Sequence, residues 1–407
     1  MKVLLLIADS NGRYPVPAVK GGAVATLVEH LVAGNNKRQL CDMEIVSYYS
    51  TEAEEMAKCK YPNIKFTWIK IPALIKLLDI IIYSLIKLLK KNGKTISYKS
   101  PFSLLYYIFR ARRITNKTDA EKIIIENNVM LARTIRRSKF CGQWYYHFHN
   151  VPRIDAGCRN EFQKVTKFLC VSRFVAEQIS GKESAIGQVK SEKADVLLNC
   201  IDTEMFRPID RSNQKLAGLR NKYEIKKEDF VIIFAGRLSE EKGVDIVLDS
   251  MKSLPDNIKC LVVGSLLSGS NTRDTYQDRL HTLASDLGDR VIFTGYISQT
   301  ELPFFYNLAD VAVLPSIWDE PAGLTNLEAM ACGLPVITTN SGGIPEYAKQ
   351  AIILNRDEDL VNEIARTVIK MLNRREYCKE IAERGFYTTT NEFDSSNYIR
   401  RFVDLIM

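Results

Sequence analysis

No stretch of this 407-residue sequence reaches the roughly 18 uncharged apolar residues that a membrane-spanning helix needs, so no such span is expected. No G-x-G-x-x-G occurs, which disfavours a nicotinamide or flavin cofactor. The nine cysteines are odd in number and include no C-x-x-C pair. That argues against a disulfide framework or a zinc site and for a reducing, cytoplasmic setting. The opening run Met1–Asp9 has a short apolar stretch but no small-residue cleavage site. It enters a Gly/Pro-rich loop, so it reads as a first strand and not as a secretory leader.

What is present is the composition of an ordinary soluble protein. An apolar share of 46% supplies sizeable cores, and the length suggests two or three domains. The net charge of +8 is unevenly placed. Between Lys65 and Lys117 there are twelve Lys and Arg and one acid, Asp79, so the rest of the chain is slightly acidic. The same segment holds a long apolar helix pattern, 72–91, with polar residues Lys76, Asp79, Lys87 and Lys90 at helical spacing. An apolar-aromatic patch, 101–109, follows and ends in Arg110, Arg112 and Arg113. Basic, aromatic and aliphatic residues together are the composition of a helix lying in a membrane interface, and 72–113 is read so. The alternative is that these apolar faces pack inside the domain. Nucleic acid is disfavoured, because the charge comes with aliphatic runs and not with a polar stripe.

The stretch Pro315–Glu346 organises the second half. A short strand ends at Pro315, and a loop carries Glu320, Pro321 and Gly323. A helix capped by Thr325 or Asn326 then runs to Gly333, and a buried strand leads to Ser341-Gly342-Gly343. Glu320 and Glu328 flank a Gly-containing turn at a helix N-terminus, where free N–H groups attract anions. Carboxylates accept strong hydrogen bonds from vicinal hydroxyls. Upstream, Asp229-Phe-Val-Ile-Ile-Phe-Ala-Gly236 reads as a strand with Arg237 at its end, and Lys242 precedes a helix. Two cations at such a helix start make a diphosphate site that needs no metal. Asp357-Glu358-Asp359 precedes a helix and reads as first-turn charge, not as a metal pair.

In the first half, strands are expected at 3–9, 43–48, 64–69, 121–127, 143–150 and 167–172, with helices at 23–33 and 128–137. Gly21-Gly22 at the first strand-to-helix turn allows close approach of a phosphate or sugar. On 143–150, period two puts Tyr145, His147 and His149 on one side. His149 stands at the carboxyl end, where open parallel sheets bind ligands, whereas His147 reads as structural. Glu126-Asn127 ends the neighbouring strand and is read as facing an acceptor.

The run Glu320-Pro-Ala-Gly-Leu-Thr-Asn-Leu-Glu328, with Ala331-Cys-Gly-Leu-Pro-Val336 and Gly342-Gly-Ile-Pro-Glu346, resembles the retaining glycosyltransferases of family 4. The Arg237/Lys242 pair and the loop Val16–Ala23 are similar to that family too. The resemblance implies an α/β GT-B fold, in which two Rossmann-like doubly wound domains face a cleft and a C-terminal helix crosses back. The domains are expected at 1–206 with 391–407, and at 207–390, hinged at Arg207-Pro208. The implied reaction takes a sugar from a nucleotide diphosphate sugar, UDP being the expected nucleotide, to a glycan acceptor. A lipid-linked acceptor in cell-surface polysaccharide synthesis fits the basic apolar segment. The implied site comprises His149, Glu320, Arg237 and Lys242, with Gly21, Gly22, Tyr296, Gly323, Leu324, Thr325 and Glu328 binding substrate and no metal or cofactor. Cys200 stands where the family often has glycine. Rival readings are a nucleotide-sugar epimerase or phosphorylase, and a non-catalytic coat or scaffold protein, since parts of the chain also resemble a glycosyltransferase-like protein of spore coats.

Overall fold

The computed structural model of the chain describes residues 1–9, 12–89, 99–265 and 275–407. They form two compact units, Met1–Cys200 with Ser395–Met407, and Ile201–Asp394. The changeover thus comes before the hinge expected at Arg207-Pro208. The Ile201 N–H bonds to the Phe393 carbonyl at 2.9 Å, and the Thr203 hydroxyl bonds to Asp394, tying 201–206 to the second unit.

The first unit holds a seven-stranded parallel sheet made of β1 (Lys2–Ile7), β2 (Asp42–Tyr48), β3 (Lys65–Ile69), β4 (Lys122–Glu126), β5 (Gln143–Phe148), β6 (Lys167–Cys170) and β7 (Ala194–Val196), in the order β3-β2-β1-β4-β5-β6-β7. A parallel sheet covered on both faces needs nearly continuous apolar strands. The runs KVLLLI and KIIIE meet that need, and Val3–Leu6 and Ile123–Ile125 are fully buried. The second unit has six parallel strands, β8 (Phe230–Ala235), β9 (Ile258–Val263), β10 (Val291–Gly295), β11 (Val311–Leu314), β12 (Val336–Thr339) and β13 (Ile352–Leu354), in the order β10-β9-β8-β11-β12-β13. Both units are therefore doubly wound α/β sheets, as the sequence pattern implies. In each, strand order reverses at one point, between β1 and β4 and between β8 and β11.

Among the helices of the first unit are α1 (Ala23–Arg38), α2 (Thr51–Lys60), α3 (Ala73–Leu89) and α4 (Pro101–Thr115). Helix α1 outruns the expected 23–33. The Asn35 side chain bonds the Cys41 backbone at both N–H and C=O, and Gln39 closes the helix in a left-handed conformation. Helix α2 is highly charged and has no apolar stripe to announce it, yet Ser50 caps it by accepting from the Ala53 N–H. The helix expected over 128–137 is only a 3-10 segment, Val129–Thr134. There Asn128 accepts from Met130 N–H and Thr134 donates to the Leu131 carbonyl, local bonds that compete with an α-helix.

The final helix, Ser395–Ile406, packs on α1, where Gly34 leaves room for Ile399 that a Cβ would fill. Its Ile406 carbonyl accepts from Lys122 on β4 and from the Tyr145 hydroxyl on β5.

Helix α3 departs from expectation at Asp79, which the helical spacing puts on a polar edge. The polar residue Asp79 points inward and is 1% exposed, while Leu74, Leu77, Leu78, Ile80, Ile81 and Leu85 are exposed. Asp79 accepts from the Phe102 and Ser103 N–H groups and the Ser103 hydroxyl, and lies 3.6 Å from Arg13. It therefore satisfies the N-terminus of α4, whose N-cap Ser100 makes no side-chain capping bond. Phe102, Leu105 and Phe109 of α4 are exposed as well. The apolar face of α3 is thus largely outside, whereas α4 buries Leu104, Tyr107, Ile108 and Ala111 in the domain. Lys90 and the Lys87 side chain lie outside the described part. No described helix is long and apolar enough to cross a membrane.

Candidate functional site

In the second unit the strand order reverses between β8 and β11, and ligands of such sheets bind beyond the strand ends at that point. The chain leaves β8 through Gly236 and Arg237 and makes a 3-10 turn, Glu240–Lys242, before the helix Val244–Met251. It leaves β11 through Pro315 to Glu320. The two loops are bound together. Ile317 N–H and the Ser316 hydroxyl both donate to the Glu241 carbonyl, at 3.0 and 3.1 Å. Gly243 has φ +67, and a Cβ there would lie 2.3 Å from the Pro315 carbonyl oxygen. This contact brings Lys242 to Glu320, with Nζ 2.5 Å from Oε1 and both side chains largely buried.

A third loop supports Glu320 from behind. Gly342 has φ +56, and its missing Cβ makes room for the Glu320 backbone, whose oxygen would be 2.4 Å away. The Gly343 N–H donates to that same carbonyl at 2.6 Å. The Gly-Gly of this motif is needed because Glu320 is packed directly upon it.

The helix after Glu320 starts at Leu324, two residues earlier than a Thr325 cap and three earlier than an Asn326 cap would give. Gly323 is the N-cap, and no side chain caps the helix. The first N–H groups, Leu324 and Thr325, thus have neither intrahelical acceptors nor a capping oxygen. Glu328 lies on this helix and accepts from the Tyr306 hydroxyl at 3.1 Å. Part of its side chain reaches the surface, but burial of the carboxyl raises its pKa to about 7 against the opposing Tyr306 bond. Arg237 is half exposed and lies 3.7 Å from Glu241. Tyr296 follows Gly295 at the end of β10, two strands from the reversal, with its side chain 78% exposed. Asp357 and Asp359 bond the start of the helix Leu360–Asn373 and its Asn362 and Arg366.

In the first unit a cavity of about 400 Å³ occupies the reversal between β1 and β4, and Gly22, Tyr14, Glu126 and Asn150 line it. Gly22 is the N-cap of α1, and the exposed Gly21 precedes it; both have positive φ. Glu126 does not stand alone as an acceptor-facing group. Pairing of β4 with β5 sets it beside His147, whose Nδ1 is 3.0 Å from Glu126 Oε2. His149 Nε2 is 2.8 Å from the same oxygen, and the two imidazoles are 4.1 Å apart. All three residues are buried. Burial alone would raise the Glu126 pKa; the charge of His147 and the contacts from both imidazoles outweigh it and hold it at about 2. Burial, then the His147 charge, lower His149 to about 4 in spite of Glu126. At neutral pH the carboxylate can only accept, so His149 Nε2 carries the hydrogen and Nδ1 is left a lone-pair acceptor with no hydrogen-bond partner. The Asn127 side chain accepts from the His149 N–H at 3.0 Å and fixes the strand end. The donor atoms of Glu126, His147 and His149 lie within 4.8 Å of one another, a spacing a transition metal could use.

Sequence reading separated this trio, taking His147 as structural and Glu126 as acceptor-facing. The clue was available: consecutive strands tend to pair, which sets the last residue of β4 against the alternating histidines of β5.

Residues 218–387 match the family described as glycosyl transferases group 1, so the second unit carries a glycosyltransferase group 1 domain. Spore coat protein SA of Bacillus subtilis is 28% identical over 239 residues, 54% of this chain and 61% of that protein. The lipopolysaccharide 1,2-N-acetylglucosaminetransferase of Salmonella typhimurium is 26% identical over 300 residues, 71% of this chain and 73% of that enzyme. Among the curated relatives the matched stretch runs from 33% to 73% of the relative's length. The crystal structure of Anabaena Alr3699/HepE in complex with UDP superposes with a TM-score of 0.71 at 17% identity, covering 100% of this chain and 99% of that one. The fold is GT-B.

Proposed function

We propose that this chain, with its group 1 domain on a GT-B fold, moves a sugar from a UDP-sugar to a lipid-linked glycan acceptor with retained anomeric configuration, in cell-surface polysaccharide synthesis. The observation that carries the reading is the Lys242–Glu320 pair at the β8/β11 reversal. A nucleotide sugar presents phosphate charge to a cation and vicinal hydroxyls to a carboxylate, and both partners are already in place. Arg237 and Lys242 take the diphosphate and stabilise charge on the departing nucleotide, with no metal required. Glu320 orients the sugar hydroxyls, aided by the free N–H groups at Gly323, Leu324 and Thr325. Glu328 accepts from the ribose, and the backbone at Tyr296 meets the base. In the first unit, the turn Gly21-Gly22 at the start of α1 and His149 just beyond β5 are the groups proposed to meet substrate. No side chain is assigned as general base; the departing phosphate takes the acceptor's proton.

The exposed ridge of α3 and α4 supports contact with an anionic lipid surface. Its apolar residues are flanked by Lys76, Arg110 and Arg113, and an exposed apolar patch beside cations suits lipid headgroups and the chains beneath them. Nine unpaired cysteines, two of them exposed, fit a reducing compartment. Both features support a peripheral position on the cytoplasmic face of a membrane.

The test is nucleotide release from a panel of UDP-sugars, together with calorimetric titration of UDP. One sugar should stand out, and UDP should bind. A chain that binds no nucleotide overturns the enzyme reading in favour of a non-catalytic coat or scaffold role, as its likeness to spore coat protein SA would have it.

A further inference from the structure

A second cavity of the first unit, about 300 Å³, lies beyond the carboxyl ends of β2 and β3. It is lined by Arg13, Lys20, Lys70 and Lys76 together with Tyr48 and Tyr49, and the start of α2 closes one side. Four cations meet one carboxylate there, that of Glu52 in the first turn of α2. Arg13 is steadied by the Ser103 hydroxyl at 3.2 Å and by Asp79. Lys20, Lys70 and Lys76 have no carboxylate within ion-pair distance among the described residues; Lys70 rests over the Tyr49 ring at 5.3 Å. The Tyr48 hydroxyl is buried and makes no hydrogen bond. Like charges converging on one concavity raise each other's free energy, and a bound anion relieves that repulsion. The volume sits at the small end of ligand sites, which run from about 300 to 1,000 Å³.

The position of Lys76 adds a second half to the ligand. It stands on the first turns of α3, next to the exposed Leu74, Leu77 and Ile80. The cationic pocket therefore borders the apolar ridge, and an amphiphile with a phosphate head and a hydrocarbon tail matches both. We propose that this pocket holds the diphosphate of a lipid-linked sugar acceptor while the lipid chain runs along the outer face of α3. The proposal rests on the acceptor reading above and gives that acceptor its chemical class.

The test is calorimetric titration of the full chain with geranyl diphosphate, geraniol and inorganic pyrophosphate. It is run in an Arg237→Ala/Lys242→Ala background, so that the second unit cannot compete for diphosphate. Geranyl diphosphate should bind at least about tenfold more tightly than either half-ligand, since charge-assisted bonds and apolar burial each contribute. Adding Lys70→Ala and Lys76→Ala should weaken it by about tenfold or more. The same pair of changes in the parent chain should leave UDP affinity as it was, which shows that the protein is folded. Geraniol binding as well as its diphosphate overturns the proposal, as does a Lys70/Lys76 variant that binds like its parent. Pyrophosphate binding as tightly as geranyl diphosphate overturns the lipid half and identifies a free-phosphate site. Absence of UDP binding in the parent is a separate result, which sinks the donor assignment while the geranyl titrations still decide this one.

Discussion

The loops around Lys242 and the helices around Asp79 treat charge in opposite ways. In the second unit the backbone is drawn so close by Gly243 and Gly342 that an ammonium and a carboxylate meet at the strand ends, available to a ligand. In the first unit the carboxylate of Asp79 is turned inward to hold the start of α4, and the apolar side chains of α3 are left outside. One arrangement is a pre-set polar site on a rigid frame. The other gives a frame whose unsatisfied surface is apolar. The contrast teaches that a buried charge and an exposed leucine can each be the stable choice, once hydrogen bonds to a helix end offset the desolvation of the carboxylate.

Five changes test that contrast. The largest effect belongs to Gly342→Ala. The new methyl would meet the Glu320 backbone and be strained at φ +56, so a stability loss of about 3 kcal/mol or more is expected, read by chemical denaturation. Lys242→Ala should leave the fold intact and cut kcat/KM for the UDP-sugar by about 30- to 200-fold, a loss of about 2–3 kcal/mol in transition-state binding; unchanged turnover would remove Lys242 from the site. Asp79→Ala should destabilise the first unit by about 2 kcal/mol, with hydrogen exchange rising first at the start of α4.

Glu328 sharpens the comparison through pH. Its carboxyl ordinarily titrates near 4.5 and is raised to about 7 in the folded chain, so folding takes up a proton between those values. Its contribution to stability therefore falls as pH rises through that window, and Glu328→Gln should stabilise the protein by about 1–3 kcal/mol at pH 8. The same change should weaken UDP binding, because the ribose loses a charged acceptor, and parental UDP affinity should fall as pH drops below 7. The smallest effect on folding is expected from Leu77→Glu with Ile81→Glu. At exposed positions it should stay within about 0.5 kcal/mol, while flotation with anionic vesicles is lost. A parent chain that does not float would end the membrane reading, and flotation that survives this change would take the contact away from α3.

The difference between the units also explains what the sequence made legible. Runs such as FVIIFA and KIIIE announce buried parallel strands, because their whole length must be apolar. The placing of Lys242 and Glu320 at the strand ends could be read because short spacings on loops and helix starts fix them locally. The outward face of α3 was harder to read. Periodicity identifies the stripe but leaves open whether it meets a surface or the core, and it does not report that Asp79 turns inward to the start of α4. Helix α2 was invisible for want of a stripe, being held by its Ser50 cap and by two buried alanines, Ala53 and Ala57. The contact of Glu126 with His147 and His149 depends on strand pairing across some twenty residues, which local pattern does not report.

The helix Ser395–Ile406 has a further consequence. It completes the first unit by seating Ile399 on Gly34 and by taking bonds from Lys122 and Tyr145 at its last turn. Residues 201–394 are thereby an insertion within the first unit. During vectorial synthesis the later-made lobe can mature while the earlier-made one still waits for its closing segment on the ribosome. The order of ripening then runs opposite to the order of translation.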